Sequence, residues 1–152
     1  KATQMPNVME LDLSKAIALL REEGFKQIRI RTVQPDSQIA AEESVVAQNP
    51  SPNISVAADA VVELSVCRSQ LGNYAADVAF NLDIAAGPGV VTVTAKLEDG
   101  LELVIYETTL PVGSQQSVSF TAYLQKAGQY ECTVYVDGVV VRSGQIGFEY
   151  RR

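Results

Sequence analysis

Two kinds of hydrophobic periodicity divide the chain near its middle. In the first half, Leu13, Ala16, Ile17 and Leu20 follow the i, i+3, i+4, i+7 spacing of a single helical face. This spacing predicts an amphipathic helix near residues 12–23. The second half shows no such period and instead alternates apolar and polar residues, which is typical of half-buried strands.

The residues at both ends of the predicted helix suit helix boundaries. Asp12 stands directly before the apolar run and fits the N-cap position, which is worth about 1 kcal/mol over Ala. Gly24 follows the last turn and fits the position where a helix ends with positive φ. Phe25 then supplies an apolar residue that can fold back onto the helix end.

Three strands are predicted after this helix. In "QIRIRTV" the apolar Ile28, Ile30 and Val33 are assigned to one face, and Arg29 and Arg31 to the other.

The segment 34–44 has no clear period and is predicted to be a loop, with Glu42 and Glu43 in solvent. "VVAQ" is a short strand that the prolines of "NPSPN" end. "AVVELSV" alternates again, with Val62, Leu64 and Val66 on one face.

The second half reads as six or seven short strands joined by turn signals, which favours a β-sandwich. Asp99-Gly100 and Asp137-Gly138 are two-residue hairpin signals. Thr92, Thr94 and Lys96 are assigned to the outer face. The predicted inward residues are Val78, Phe80, Leu82, Ile84, Val91, Val93, Ala95, Leu97, Val118, Phe120, Tyr130, Cys132, Val134 and Val136.

The pattern therefore predicts two domains, residues 1–68 and 69–152, that touch without sharing one core. The boundary falls within "RSQLGNYA", residues 68–75, where the strand pattern lapses. The predicted fold class is α+β for the first domain, with one helix packed on a three-stranded antiparallel sheet, and an all-β sandwich for the second.

Charge and composition remove several function classes. The net charge is −6, from 12 Lys+Arg against 18 Asp+Glu, and nucleic acid binding needs a basic stripe that is missing here. The chain has no His, the commonest general base and metal ligand, so we expect no metal, no cofactor and no catalysis. No apolar run approaches the roughly 18 residues of a membrane span, and we expect no membrane contact by this chain. It begins with Lys1 rather than Met, which suggests a piece of a longer protein.

The first half resembles the PASTA domain over residues 4–67. That family opens with a Pro-x-Val segment, carries a helix with an inward Ala, and has a Val-Ile-x-Gln-x-Pro strand before a Pro-x-x-Gly turn. Glycines that are usual in the family become Glu43, Asn53 and Asp59 here, of which Asn and Asp tolerate left-handed backbone best. The matching positions are Pro6, Val8, Ala16, Leu20, Gly24, Val45, Val46, Gln48, Pro50 and Val62.

The resemblance implies location and role. PASTA domains occur in the extracellular part of bacterial membrane Ser/Thr kinases and in some penicillin-binding proteins. They are associated with binding peptidoglycan fragments or precursors and with kinase activation or localisation at the division site.

The second half, residues 76–152, resembles immunoglobulin-like domains at "AGQYEC". Tyr130 stands two residues before Cys132, the spacing of their tyrosine corner, so its hydroxyl is expected to bond a backbone group a few residues upstream. A bridge between Cys67 and Cys132 is one alternative; the other is that Cys132 is a small buried hydrophobe. Some PASTA kinases of Gram-positive bacteria end with such a domain, which favours a kinase ectodomain over a penicillin-binding protein.

Three residues are candidates for ligand binding. Arg29 and Arg31 share one strand face, and their guanidinium groups suit a carboxylate on a stem peptide. Gln48 can bond a sugar or peptide amide. The alternatives are a solvated outer face for the arginines and a backbone hydrogen bond near the proline turn for Gln48.

Two functions follow from these expectations. The first is a non-catalytic extracellular sensor fragment that binds peptidoglycan or muropeptides weakly for a transmembrane Ser/Thr kinase. The second is a structural spacer or protein-interaction module that docks a division or cell-wall protein, as in a penicillin-binding protein.

Overall fold

The structure is a computed structural model that describes residues 2–33, 42–97 and 100–151. Backbone contacts group the chain into two compact units, Lys1–Gln70 and Leu71–Arg152. The division into independent domains at 1–68 and 69–152 stays a prediction.

The first unit contains one helix and five short strands in its described part. Its elements are β1 (Ala2–Gln4), α1 (Leu13–Glu22), β2 (Gln27–Val33), β3 (Val45–Asn49), β4 (Ser55–Ala57) and β5 (Val61–Cys67).

The helix lies where the periodicity predicts it, with Leu13, Ala16, Ile17 and Leu20 buried. Asp12 occupies the N-cap position with extended backbone, but its side chain caps no helix N–H. Its carboxylate instead accepts a hydrogen bond from the Ser14 hydroxyl at 2.6 Å.

The other helix end is a Schellman motif, as the sequence predicts. Gly24 has φ +98 and donates its N–H to Arg21 O at 3.0 Å. Phe25 donates to Leu20 O at 3.0 Å, and both Phe25 and Leu20 are fully buried.

The predicted fold class is wrong. The described part of the chain has a single ten-residue helix against eleven strands, so the structure is mostly β rather than α+β. The sheet of the first unit is also not antiparallel throughout: β3 pairs with β5 antiparallel, but β2 pairs with β5 in parallel. β1 and β4 form a separate two-stranded sheet. Alternation along a strand shows which residues share a face but carries no information on the direction of its neighbour, which explains the error.

The buried face of this sheet agrees with the alternation, apart from one residue. Ile28 and Ile30 of β2 are 2% and 1% exposed, and Val62, Leu64 and Val66 of β5 are fully buried.

Val33 is predicted on the same side as the isoleucines, but it is 37% exposed. It lies an odd number of residues from Ile28 and Ile30, so the pleat turns it to the face of the arginines. The predicted loop at 34–44 lies for the most part outside the described residues.

The second unit contains six strands in its described part, hydrogen-bonded in the order β8-β7-β10-β11-β6-β9. The strands are β6 (Tyr74–Ile84), β7 (Gly89–Lys96), β8 (Glu102–Leu110), β9 (Gly113–Leu124), β10 (Gly128–Val136) and β11 (Val139–Tyr150).

The core of this unit lies between the two ends of that strand order. Leu82 of β6 and Val118 of β9 pack in one cluster with Val93 of β7 and Val134 of β10. The sheet therefore folds over, so that β6 and β9 cover β7 and β10. The assignment to an immunoglobulin-like class stays a prediction. The strand order is compatible with it, because β8-β7-β10-β11 and β6-β9 have the same neighbours as strands C′-C-F-G and B-E of immunoglobulin sheets.

The outward assignment of Thr92 and Thr94 is wrong. They are only 8% and 1% exposed, so both faces of β7 are covered. The Thr92 hydroxyl donates to the Glu107 carboxylate at 2.8 Å, which satisfies its polar group. Threonine is polar enough to suggest solvent in a sequence pattern yet small enough to be buried once it is hydrogen-bonded.

Two local predictions in this unit are confirmed. Asp137 and Gly138 form a two-residue turn with φ +50 and +83 between β10 and β11. The Tyr130 hydroxyl donates to Lys126 O at 2.7 Å, which is a tyrosine corner. Asp99 of the other predicted turn lies outside the described residues, although β7 and β8 pair antiparallel as that turn requires.

Replacing Gly24 tests the helix end. An added Cβ would meet no atom within 4 Å, so Gly24→Ala is expected to cost about 1 kcal/mol from backbone strain alone. The free energy of unfolding in urea measures this cost. Glu23→Ala at the preceding exposed position, where φ is −80, is the control and is expected to change it by less than about 0.5 kcal/mol. Equal effects of the two changes would contradict the assignment.

The Cys132 thiol predicts an alkaline loss of stability. Burial raises its pKa from 9.0 to about 11, with the Glu131 charge adding to the effect. The unfolded chain loses this proton first as the pH rises, so stability falls between pH 9 and 11, by about 2–3 kcal/mol in all. Urea unfolding of Cys132→Ala should show a shallower decline across this range than the parent chain. Parallel declines of the two proteins would contradict the shifted pKa.

Candidate functional site

Arg29 and Arg31 lie together on one face of the sheet of the first unit. Both are on β2, two residues apart, and their side chains point away from the buried Ile28 and Ile30. The Arg29 side chain is mostly buried, at 15% exposed, and the Arg31 side chain is 29% exposed, so Arg31 is the more accessible of the two.

One carboxylate stands between the two arginines. Glu63 is paired with Arg29 in the parallel register of β2 and β5. Its Oε2 lies 3.4 Å from Nη1 of Arg29, and its Oε1 lies 3.6 Å from Nε of Arg31. The three groups together carry a formal charge of +1, so the cluster is a small cationic patch that already holds a carboxylate.

Gln48 does not join this patch. It is paired with Leu64, the neighbour of Glu63 on β5, so its side chain lies on the opposite, buried-side face of the sheet. The structure therefore brings two of the three predicted binding residues together and separates the third.

The Gln48 amide fastens the segment before the helix to the sheet. Its Oε1 accepts from the Val8 N–H at 2.9 Å, and its Nε2 donates to Pro6 O at 3.0 Å and to Pro50 O at 3.2 Å. Met5 and Val8 of this segment are fully buried. The alternative that Gln48 hydrogen-bonds to the backbone near the proline turn thus describes its contacts. Both its amide oxygen and its amide nitrogen are bonded to backbone groups of the fold.

A second ion pair was missed in the sequence. Glu43 binds Arg68 in a bidentate manner, with Nε to Oε2 at 2.6 Å and Nη2 to Oε1 at 3.0 Å. The Arg68 side chain is 10% exposed, so this pair is better shielded than the arginines on β2. Glu42 is exposed, as expected of a solvated loop, and accepts a hydrogen bond from the Ser69 N–H at 3.0 Å, whereas Glu43 is partly buried by its pairing with Arg68.

Glu43 also keeps the backbone shape of the glycine that it replaces. It has φ +64, and its N–H donates to Cys67 O while its C=O accepts from Leu13 N–H at the helix start. Asn53 has φ +69, as expected, whereas Asp59 is not among the left-handed residues in the described part. The sequence signal for this ion pair is a glutamate where the family usually has glycine. Its partner Arg68 is 25 residues away, too far for a local sequence pattern to identify it.

Both cysteines are free and buried, so the bridge alternative is not what the structure shows. Burial raises the pKa of the Cys67 thiol, and the charges of Glu42 and Glu43 raise it further. A raised pKa lowers the thiolate fraction at neutral pH, which disfavours nucleophilic use of this residue. Among the described residues no group of three His, Cys, Asp or Glu is placed to hold a metal ion.

Replacing Gln48 tests its three hydrogen bonds. Gln48→Glu keeps the acceptor for Val8 but places a second carboxylate oxygen against the carbonyls of Pro6 and Pro50. We expect a loss of about 1–3 kcal/mol in urea unfolding at pH 7. The loss should shrink near pH 3, where the carboxyl is protonated and can donate again.

The control is Gln4→Glu, which adds the same charge at an exposed position on β1. A Gln48→Glu chain as stable as this control at pH 7 would show that the three hydrogen bonds contribute little.

Comparison with known proteins supports the assignment of the first half. The family model described as the PASTA domain matches residues 3–68. No curated protein sequence matches the chain significantly. Among solved structures, the chain is similar to the entire extracellular region of the Ser/Thr kinase PrkC from Staphylococcus aureus, with 19% identity and a TM-score of 0.41. That alignment covers 96% of this chain, which spans about half (51%) of the length of the other chain. Residues 3–68, which match the family model described as the PASTA domain, hold the arginine patch on β2 and the Gln48 hydrogen bonds.

Proposed function

We propose that this chain is a non-catalytic sensor fragment that binds peptidoglycan fragments through the face of Arg29 and Arg31. PASTA domains are associated with ligands of the peptidoglycan type, which supports the substrate class. The observation that carries the proposal is the pair of guanidinium groups on one partly exposed sheet face, 3.4 and 3.6 Å from a shared carboxylate.

Glu63 indicates which ligand chemistry the patch accepts. A carboxylate already sits between the two guanidinium groups, so the geometry suits a second carboxylate, such as that of a stem peptide, as a neighbour or a replacement. Arginine favours this role because its planar fork binds both oxygens of a carboxylate. The uncharged sugar rings of the polymer would contact the patch only through hydrogen bonds.

Binding by one such patch is expected to be weak. A partly exposed ion pair in water contributes up to about 1 kcal/mol, and displacement of Glu63 subtracts from the gain. A dissociation constant near millimolar corresponds to about −4 kcal/mol. Tandem copies on one polymer would raise the avidity through effective concentration and would bring the attached domains together.

We place the fragment in the extracellular part of a transmembrane Ser/Thr kinase. The support is the PASTA family match together with the order of a PASTA domain followed by a strand-rich unit that carries a tyrosine corner. No helix in the described part of the chain has the length and apolar character that crossing a bilayer requires.

A second candidate is a structural spacer or docking module of a cell-wall or division protein. The observation that favours it is that the polar groups of Gln48 bind inside the fold and that the two arginines share an internal carboxylate. A domain held together in this way needs no ligand to satisfy its polar groups.

Replacing Glu63 separates a binding patch from a structural one. In Glu63→Gln both guanidinium groups lose the competing Glu63 carboxylate, so we expect muropeptide affinity to rise by about two- to fivefold. Arg31→Gln should weaken binding by a similar factor. The measurement is the titration of ¹⁵N-labelled chain with a purified muropeptide, followed by amide shifts at residues 29–33.

The matched control is Glu22→Gln, which removes the same charge from the exposed end of α1 and should leave the affinity unchanged. No shift at residues 29–33 at tens of millimolar muropeptide would remove the direct-binding proposal. Capture of a division or cell-wall protein by this chain in the absence of cell wall would then favour the spacer.

A further inference from the structure

The last strand of the second unit leaves a long edge without a partner. β11 is paired with β10 from Val139 to Phe148, but on its other side it meets β6 only through Glu149–Ala75 and Tyr150–Tyr74. No described strand pairs with that edge over residues 139–147, or with the facing edge of β6 after Ala75. Two rows of backbone N–H and C=O groups thus face the same gap.

The gap is a groove with an apolar floor. It has a volume of about 300 Å³, and its walls are residues 77–80 of β6 and 142–146 of β11. At its base lie Cys132 and Val134 of β10, the hydrogen-bonded neighbour of β11, and Val93 of β7. The groove therefore offers hydrogen-bonding edges on both sides and apolar contact below.

The groove exists because Gly144 stands where a larger side chain would fill it. The inward row of β11 consists of Phe148, Ile146, Gly144 and Arg142. In the register of the hairpin they pair, in that order, with Gly128, Tyr130, Cys132 and Val134 of β10. Phe148 is buried, but Gly144 has no side chain, and an added Cβ there would meet no atom within 4 Å. The backbone does not require glycine at position 144, because its φ is not positive. The missing side chain leaves open space beside Cys132, its partner on β10.

One positive charge marks the wide end of the groove. The Arg142 guanidinium lies 5.2 Å from the centre of the Phe80 ring on the facing strand. No ion pair of Arg142 is found among the described residues, whereas Asp77 at the narrow end is bound by Arg151 at 3.0 Å and by Thr121 at 2.7 Å. A ligand that places a carboxylate next to Arg142 would therefore complement the charge of this groove.

We propose that this groove binds an extended peptide segment of a partner protein, which adds to the edge of β11. The segment places apolar side chains over Gly144 and Cys132 and a carboxylate beside Arg142. Strand addition accounts for the two free backbone edges, and the empty position at Gly144 accommodates an inward side chain of the peptide.

A second copy of this chain fits the groove less well. In an antiparallel pairing of two β11 edges centred on Ser143, Arg142 of each copy lies opposite Gly144 of the other. Residues 139–147 contain no acidic side chain, so neither Arg142 would gain a carboxylate. The charge requirement thus selects a partner that carries an acidic residue beside apolar ones.

The test uses a blocked seven-residue peptide with valine, valine and glutamate on one face and threonine at the other four positions. Titrated into the ¹⁵N-labelled full chain, it should shift the amides of residues 77–80 and 139–147. A peptide with lysine in place of glutamate should bind about two- to fivefold more weakly. Arg142→Gln should abolish that difference, and a peptide N-methylated along its backbone should not bind.

Gly144→Val is the decisive variant, because the new side chain enters the groove where there is open space. It should keep or raise the midpoint of thermal unfolding and weaken peptide binding at least tenfold. Ser143→Val adds the same side chain on the outward face of the strand and is expected to bind as the parent does.

Three results would overturn the proposal. They are the absence of shifts at millimolar peptide, unchanged binding by a folded Gly144→Val chain, and self-association of the peptide-free chain that shifts the same amides.

Discussion

The parallel pairing of β2 with β5 is the constraint on which the first unit depends. Its register places Ile28 beside Val62 and Ile30 beside Leu64 on the buried side. The same register places Arg29 beside Glu63 on the other side, so the apolar core and the arginine patch are two faces of one set of hydrogen bonds. A one-residue slip of β2 would turn its isoleucines outward and bury the two charges of Arg29 and Arg31, which is why core and patch can only form together.

The other polar side chains of this unit secure its ends. Gln48 ties the segment before the helix to β3, and the pair of Glu43 and Arg68 joins the helix start to the end of β5. Each meets the hydrogen-bonding needs of backbone or side-chain groups that the fold removes from water. Neither contact requires a ligand, so the structural role of these residues is independent of the proposed peptidoglycan binding.

The core of the second unit forms differently, because its sheet folds over on itself. β11 pairs with β10 along most of its length and reaches β6 only at its last residues. The cluster of Leu82, Val93, Val118 and Val134 fills the interior where the two layers are close. Where the two layers separate, the small residues Gly144 and Cys132 do not fill the space between them. The free edge of β11 and the open volume of the groove therefore both result from this separation.

Local features of the chain were determined by the sequence itself. The helix and its Gly24 end, the Asp137-Gly138 turn, the tyrosine corner at Tyr130 and the buried faces of β2 and β5 follow from interactions within a few residues. Backbone sterics and side-chain period act at that range, so they can be identified from sequence alone.

Only the tertiary structure decided the fold class, the direction of β2 against β5, the burial of Thr92 and Thr94, and the separation of Gln48 from the arginines. The candidate site was thus predicted in part: Arg29 and Arg31 share a face because they are two residues apart on one strand. Glu63 and Arg68 join their partners across 34 and 25 residues of chain. Such pairings depend on which strands become neighbours and in which direction they run. Periodicity along a single strand carries no information on either.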